Sequence, residues 1–365
     1  MANIPTVQAR KVFTTVLANV FQDFIEAPTF LRNFAKEQAY TTKTVQSLAR
    51  RGTEKVAVDV IRGSEGNLNQ ATRFTQKEFL PPYYKEKINV TSLDIYDIPF
   101  ESGDSYNTAQ IDALALSTAR EMSEVKSMID RAIELQMAQL LETGVVELKN
   151  GDNIDYKRKA EMIEQLTGTD LWDDSSVDLI KFFEDKGNKL RSVGKVAGGQ
   201  VVDCVMGAEA WAEFRANETI MNGDNMYYES TIAMEGSRMN GAGGIYNGTL
   251  RAKGYQFRIW TYDEVYDNAS NVSTRYLNPK IVHLIPQSFQ AEISFCQVPM
   301  LPSWVNASTP QARRVFSNLR RNMTGFSMFD YVTEDKESYF AGIKSAPLAQ
   351  LISVDRVYSA LVLAP

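Results

Sequence analysis

The chain has 365 residues, of which 44% are hydrophobic and 23% are charged, a composition typical of a folded protein of about two domains. Its 39 basic and 45 acidic residues give a net charge of −6, which argues against a protein whose whole surface binds nucleic-acid phosphates. Any contact with nucleic acid is expected to be local or indirect. No apolar run approaches the roughly 20 residues of a membrane span, and no signal-peptide cleavage site follows the first apolar segment. We therefore expect neither secretion nor membrane insertion.

A single histidine, His283, restricts the catalytic chemistry that the chain can support. Ser-His-Asp and Cys-His sites need a base that titrates near neutral pH. The apolar, β-branched run 280–286 around His283 favours a strand histidine held by a neighbouring side chain. The two cysteines, Cys204 and Cys296, lie in strand-like runs and are predicted to be buried thiols. The zinc motifs C-x-x-C and H-E-x-x-H are absent from the sequence, so we predict no catalytic, cofactor or metal site.

Two weaker signals also have simpler structural interpretations. The glycine-rich run 241–244 could let backbone amides approach a phosphate, but it follows polar residues and no G-K-[ST] comes after it. It is predicted to be a mobile loop. Asp173 and Asp174 are adjacent, so their side chains point apart, and the two serines that follow are typical of a helix entry rather than an acid–base pair.

The first element in chain order is a predicted helix over residues 10–25. Apolar residues recur every four positions there and form one wide apolar face, with Val16, Leu17, Val20 and Phe21 at its centre. Such a face must be covered, either by the core of the same chain or by a neighbouring subunit. The sequence leaves both arrangements open.

Residues 52–98 are predicted to form a long protruding hairpin. Val56, Val58 and Val60 alternate as in a strand, a glycine-rich turn follows at 63–67, and residues 70–98 have an extended composition. Polar and charged residues occur on both faces, so the hairpin cannot hold a core by itself. We expect its side chains to find partners on another subunit, the candidates being Arg62, Arg73, Phe74, Phe79, Tyr83 and Tyr84.

Residues 108–143 contain neither glycine nor proline, and their apolar residues step by three and four. This pattern predicts a helix over 107–143, about 54 Å long, which would end at Gly144. A rod of this length predicts a flat or elongated molecule. A coiled coil is the alternative, but heptads with flanking charges are not sustained.

The second half of the sequence predicts a mixed α+β arrangement. An amphipathic helix is predicted over 174–192, and a buried strand over 201–206 leads through Gly207 into another helix. Short strands are predicted over 250–261, 276–285 and 289–295, and a strand-rich apolar segment over 348–363. No repeat is visible.

This order of elements resembles the HK97-fold major capsid proteins of tailed bacteriophages, and in particular the lambda-type branch, the phage capsid E family. The resemblance is best at 201–211, a strand leading into a helix that begins Gly-x-x-Ala-Trp, and it continues at 281–286, a strand that ends in proline. Ser345-Ala346-Pro347-Leu348 before the hydrophobic end also fits. Residues 262–275 and 302–335 match no part of that pattern.

The resemblance implies an N-terminal arm (1–51), an E-loop (52–98), a peripheral domain with a spine helix (99–200), an axial domain (201–317) and a returning C-terminal segment (318–365). It also implies hexamers and pentamers in an icosahedral shell that is assembled in the host cytoplasm and becomes the virion head. That shell would enclose double-stranded DNA without sequence-specific binding. Decoration, scaffold and portal proteins are its candidate partners, and we predict no covalent cross-link and no cofactor.

Three other functions compete with a phage head protein. A bacterial nanocompartment shell shares the physics of shell assembly, and its cargo would distinguish it. A tail or baseplate protein would form tubes or rings. An α/β enzyme built on the strand–helix unit 201–214 is disfavoured by the single histidine and by the long hairpin.

Overall fold

The computed structural model describes residues 27–49, 75–91, 108–149, 153–174, 177–221, 233–239, 242–252, 254–268, 270–298, 325–332 and 338–364. The helices are α1 (Thr108–Glu142), α2 (Leu179–Ser192), α3 (Ala208–Ala216) and α4 (Glu218–Met221). The strands are β1 (Ala35–Ala39), β2 (Val45–Ala49), β3 (Thr75–Phe79), β4 (Tyr84–Thr91), β5 (Val145–Val146), β6 (Ile154–Asp155), β7 (Ile163–Gln165), β8 (Val201–Met206), β9 (Ala233–Met239), β10 (Gly244–Ala252), β11 (Tyr255–Tyr262), β12 (Val265–Asp267), β13 (Ser273–Arg275), β14 (Ile281–Pro286), β15 (Ala291–Phe295), β16 (Phe326–Val332), β17 (Ser338–Ser345), β18 (Pro347–Leu351) and β19 (Tyr358–Leu361). Short 3-10 helices lie at Arg32–Phe34, Ala160–Met162 and Gly168–Asp170.

The long helix α1 confirms the helix predicted over 107–143 to within one residue at each end. It ends where Gly144 adopts a φ of +75°, the left-handed conformation that glycine tolerates best. Buried apolar side chains recur along the helix at spacings of three and four: Met122, Val125, Ile129, Ile133, Met137 and Leu140. The helix packs against β4, β17 and β18, so it is held by strands that come both before it and after it in the chain.

A seven-stranded sheet in the order β7-β19-β14-β8-β11-β10-β9 separates two apolar cores. Successive side chains of a strand point to opposite faces. Val205 and Ile285 accordingly join the core that contains α1, which we call the first core. Cys204 and Leu284 join the second core, which α2 and α3 cover. The predicted strand–helix unit at 201–214 is confirmed as β8 and α3, and β8 lies in the middle of this sheet.

Several predicted boundaries change in the structure. The helix predicted from Asp174 begins at Leu179, because the Asp178 side chain accepts a hydrogen bond from the Lys181 backbone N–H at 3.0 Å and caps the helix there. The run predicted over 250–261 is two strands that meet at a turn with Gly254. The run 348–363 likewise divides into β18 and β19, which lie in different sheets. Residues 262–275, which matched no known pattern, contain the small β12–β13 hairpin.

The hairpin predicted over 52–98 requires a correction. In the described residues β2 pairs antiparallel with β3, so the first arm of the hairpin begins at Val45 and the second arm ends at Phe79. Residues 50–74, between the two strands, lie outside the described residues. Strand β4 pairs instead with β17, which also pairs with β16. The physical reason is that Tyr84 and Ile88, on alternate positions, pack on the first core. Residues 84–91 therefore belong to the body of the molecule.

The glycine-rich run at 241–244 is only partly a loop. Ala242 and Gly243 form a bend, while Gly244 begins β10, and Gly241 lies outside the described residues. A Cβ atom on Gly244 would lie 2.4 Å from the ring of Phe30. Glycine at this position therefore lets the N-terminal segment pack against the sheet, which is a structural role rather than phosphate binding.

Candidate interaction surfaces

The turn between β3 and β4 presents two large apolar side chains to solvent. Leu80 is 59% exposed and Tyr83 is 46% exposed, whereas Pro81 between them is buried. Burial of such side chains yields roughly 1.5–3 kcal/mol each when a partner covers them. Among the described residues of the predicted hairpin, this turn is the part that exposes large apolar side chains.

The other predicted contact residues of this region are directed into their own chain. The ring of Phe79 lies 5.7 Å from that of Tyr156, and the Tyr84 hydroxyl accepts a hydrogen bond from Gln136 Nε2 at 3.0 Å. Their role between subunits stays a prediction, and the exposed Leu80, which the sequence interpretation missed, is better placed for it. The remaining candidates lie outside the described residues: Val16, Leu17, Val20, Phe21, Arg62, Arg73 and Phe74.

A buried carboxylate on α1 fixes the N-terminal segment to the body of the molecule. Glu134 Oε1 accepts hydrogen bonds from the Leu31 backbone N–H at 2.8 Å and from the Tyr262 hydroxyl at 3.0 Å, and Oε2 accepts one from the Arg32 N–H at 3.0 Å. One turn earlier on α1, Asp130 pairs with the Arg32 guanidinium at 2.6 Å. Residues 27–34 are therefore held on α1 and on β11 together.

The ionisation of Glu134 is strongly affected by its surroundings. Burial raises its pKa to about 7, while the two backbone N–H groups, the Tyr262 hydroxyl and the Arg32 charge act in the opposite direction. Burial, followed by the charge and hydrogen bond of Glu134, raises the pKa of Tyr262, so that phenol stays protonated and donates. The junction therefore holds a carboxyl group that titrates near neutral pH.

A second polar cluster joins the end of α1 to β19. The buried Arg158 donates from Nη1 to the Leu141 carbonyl at 2.6 Å, and from Nη2 to the Val357 carbonyl at 2.9 Å and to Ser359 Oγ at 3.1 Å. Ser359 donates its own hydrogen to the Leu141 carbonyl at 2.6 Å. These bonds join the C-terminal strand to the long helix inside an apolar environment.

His283 belongs to this cluster and not to a catalytic arrangement. It is fully buried in β14, and its Nδ1 lies 3.0 Å from Ser359 Oγ, as predicted for a strand histidine held by a neighbour. Because Ser359 already donates to Leu141, the histidine must be the donor, which places its proton on Nδ1. Burial, and then the charge of Arg158, lower its pKa to about 3. A neutral, enclosed imidazole has no access to a substrate.

The thiols and carboxylates of the described residues give no sign of a metal centre. Cys204 and Cys296 are buried free thiols, as predicted. Burial raises the pKa of both thiols, so neither is a ready thiolate. No group of three or more His, Cys, Asp or Glu side chains in the described ranges could hold a metal ion. Nor is any helix in those ranges long and apolar enough to span a membrane.

Comparison with known proteins identifies the family. The model of the family described as phage major capsid protein E matches residues 13–323, which is most of the chain. The chain belongs to the phage major capsid protein E family. Membership makes it a structural protein of the phage head, located in the virion, and favours this function over the nanocompartment alternative.

The solved structures agree with the family on the fold. A protein assigned as the capsid protein of a prophage of E. coli CFT073 has a TM-score of 0.65 at 13% identity, with 96% of this chain and 99% of that chain covered. The predicted HK97-like capsid fold is therefore confirmed. The capsid structure of the cyanophage P-SCSP1u has a TM-score of 0.44 at 10% identity, with 93% and 89% covered. The SrpI encapsulin of Synechococcus elongatus has a TM-score of 0.42 at 11% identity, with 92% and 88% covered. These two TM-scores do not distinguish a phage capsid from an encapsulin shell. No curated protein sequence matches the chain.

Proposed function

We propose that this capsid family member assembles by itself, through hexamers and pentamers, into a closed icosahedral shell that encloses double-stranded DNA. The family match carries the proposal. The exposed Leu80 and Tyr83 support it, because an apolar turn that is uncovered in one subunit gains free energy when a second subunit covers it. Assembly in the host cytoplasm and contacts with decoration, scaffold and portal proteins belong to the same proposal.

We further propose that the protein catalyses no reaction. The enclosed, neutral His283 and the high-pKa thiols support this, since each lacks the accessibility or the ionisation that a nucleophile or general base requires. The buried carboxyl group of Glu134 accepts three hydrogen bonds from its own chain. Its chemistry is that of a structural group.

Self-assembly is tested by expressing the chain alone and examining the purified protein by sedimentation and negative-stain microscopy. We expect large, closed particles of uniform size in fractions that contain no other protein. Tubes or open rings would indicate a tail or baseplate component. Particles formed only when another phage protein is present would show that the chain does not assemble by itself.

Leu80→Asp is expected to leave a folded subunit and to reduce the yield of shells by at least about tenfold, because a charge replaces an apolar contact of roughly 1.5–3 kcal/mol. The measurement is the particle fraction in sedimentation, with thermal melting of the unassembled subunit alongside it. Leu80→Met, which keeps the apolar character, is the matched control and should assemble normally. Normal shells from Leu80→Asp would remove this turn from the proposed contact surface.

A further inference from the structure

The outer face of the β4-β17-β16 sheet combines positive charge with aromatic rings. The opposite face of this sheet packs on α1 and the first core through residues such as Ile88 and Ile343. Because side chains alternate along strands, the register places a second set together on the other face. That set, which we call the lysine–aromatic face, consists of Lys85, Lys87, Phe329, Tyr331, Phe340 and Lys344.

The rings and the lysines of this face are interleaved. Lys87 Nζ lies 4.4 Å from the centre of the Phe340 ring, and Lys344 Nζ lies 4.6 Å from the centre of the Phe329 ring. The Tyr331 ring stacks on Phe340 with their centres 5.0 Å apart, and Tyr331 is 41% exposed. Each ammonium group is therefore held in place above a ring instead of moving freely in solvent.

The charges of the lysine–aromatic face are not neutralised within the described part of the chain. Lys85 and Lys344 are directly opposite each other across the β4–β17 pair, where like charges repel. Partial burial, and then the charge of Lys85, lower the pKa of Lys344. No acidic side chain among the described residues forms an ion pair with any of the three lysines. An anionic partner would relieve this repulsion.

The same chain carries an acidic segment elsewhere. Residues 160–180 contain six acidic residues and no lysine or arginine, so this one segment accounts for the whole net charge of −6. Glu161, Asp170, Asp173 and Asp178 are exposed. Glu164 is paired with Lys186 and Lys189 of α2, and the charges of Asp170 and Glu161 also act on Lys186 and Lys189, respectively. The segment contributes Met162, Leu166 and Trp172 to the second core, whereas the sheet that carries the lysine–aromatic face packs its opposite side on the first core.

We propose that the lysine–aromatic face binds the acidic segment 160–180 of a second copy of this chain. The inference rests on the proposed self-assembly, which supplies that copy at high local concentration. Because the two surfaces are different parts of one chain, the contact is heterologous, and its repetition joins subunits head to tail as a ring requires. Charge complementarity fixes which surfaces meet and in which register, while apolar contacts elsewhere supply most of the free energy.

The test is a charge exchange within one chain. Lys85→Glu/Lys87→Glu places two acids opposite the acidic segment and should raise the protein concentration needed for assembly by at least about tenfold. Asp170→Lys/Asp173→Lys should do the same by placing bases opposite the lysines. The chain with all four changes should assemble close to the wild-type concentration, because the attraction is restored with its sign reversed. Lys36→Glu/Lys43→Glu, at two exposed lysines outside the face, is the matched control and should leave the assembly concentration unchanged.

The outcomes separate this inference from the proposed function. Rescue by the fourfold exchange supports the contact, with circular dichroism of each unassembled variant showing that the subunit is folded. If both double variants assemble normally, or if the fourfold variant stays as impaired as either one, the inference is wrong while wild-type assembly still stands. If the Lys85→Glu/Lys87→Glu variant forms shells of normal size that lack only their DNA, the face binds nucleic acid and the proposed contact between subunits is wrong. Failure of the wild type to assemble would instead overturn the proposed function.

Discussion

Replacing Glu134 with alanine is expected to lower the free energy of unfolding of the unassembled subunit by about 3–5 kcal/mol, since a buried hydrogen-bond acceptor is removed and its three donors remain. The Leu31 and Arg32 N–H groups and the Tyr262 hydroxyl would lose their acceptor inside the protein. Urea or thermal unfolding measures the loss. Glu124→Ala, at an exposed position of the same helix, is the control and should change the stability by no more than about 0.5 kcal/mol. Equal effects of the two substitutions would contradict the role given to Glu134.

The same residue predicts a pH dependence with a definite sign. The pKa of Glu134 is raised from 4.5 to about 7 in the folded protein, so between these values the folded state binds a proton that the unfolded state lacks. Stability from this group is therefore greatest below pH 4.5 and falls as the pH rises to about 7, by about 3 kcal/mol. The charge of Arg32 acts directly on Glu134, and Arg32 is itself paired with Asp130. Burial, and then the charge of Glu134, raise the pKa of the Tyr262 and Tyr276 phenols.

The comparison that isolates this slope is with Glu134→Gln, which cannot titrate. The difference in unfolding free energy between wild type and Glu134→Gln should change by about 3 kcal/mol between pH 4.5 and pH 7.5. Titrations common to both proteins cancel in that difference. A difference that is constant with pH would show that Glu134 keeps an ordinary pKa in the folded state.

Arg158→Met is the second substitution with a large expected effect, a loss of about 3–5 kcal/mol in unfolding free energy. The methionine fills much of the space but cannot donate to the carbonyl of Val357 or to that of Leu141, which would keep the Ser359 hydroxyl as a donor. The link between the end of α1 and β19 would therefore weaken. Unfolding followed by tryptophan fluorescence and by circular dichroism measures the effect on both cores.

Lys159→Met is the control for Arg158→Met, because Lys159 is the next basic residue and is exposed. It should change the stability by no more than about 0.5 kcal/mol. If Arg158→Met were as mild as this control, the carbonyl groups would have to find other donors. The C-terminal strand would then be held by its apolar contacts alone.

The sequence predicted correctly those helices and strands that are determined by residues close together in the chain. The run without glycine or proline, and its three-and-four spacing, placed α1 within one residue, because helix formation depends on neighbours along the chain. The apolar run at 201–206 and the glycine after it likewise predicted β8 and α3. The predicted start of α2 was wrong, because several residues around Asp174 were equally suitable as N-caps and the helix is capped by Asp178.

Strand partners could not be predicted because pairing depends on residues far apart in sequence. The alternation at 84–91 shows a strand, yet nothing local indicates that β4 joins β17 rather than the hairpin. Whether a side chain is exposed for contact with another subunit also depends on residues far apart in sequence. Phe79 and Tyr84 resemble surface aromatics until Tyr156 and Gln136 are brought beside them. For Glu134 the sequence offered one usable signal, an acidic residue beside the apolar stripe of α1, but its partners at Leu31 and Tyr262 come from two distant segments.

The most direct test of self-assembly is a cryo-electron microscopy reconstruction of particles assembled from this chain alone. We expect a closed shell with icosahedral symmetry, in which pentamers occupy the fivefold vertices and the turn at Leu80–Tyr83 is covered by a neighbouring subunit. A helical tube, an isolated ring, or a shell in which that turn stays exposed to solvent would contradict this expectation.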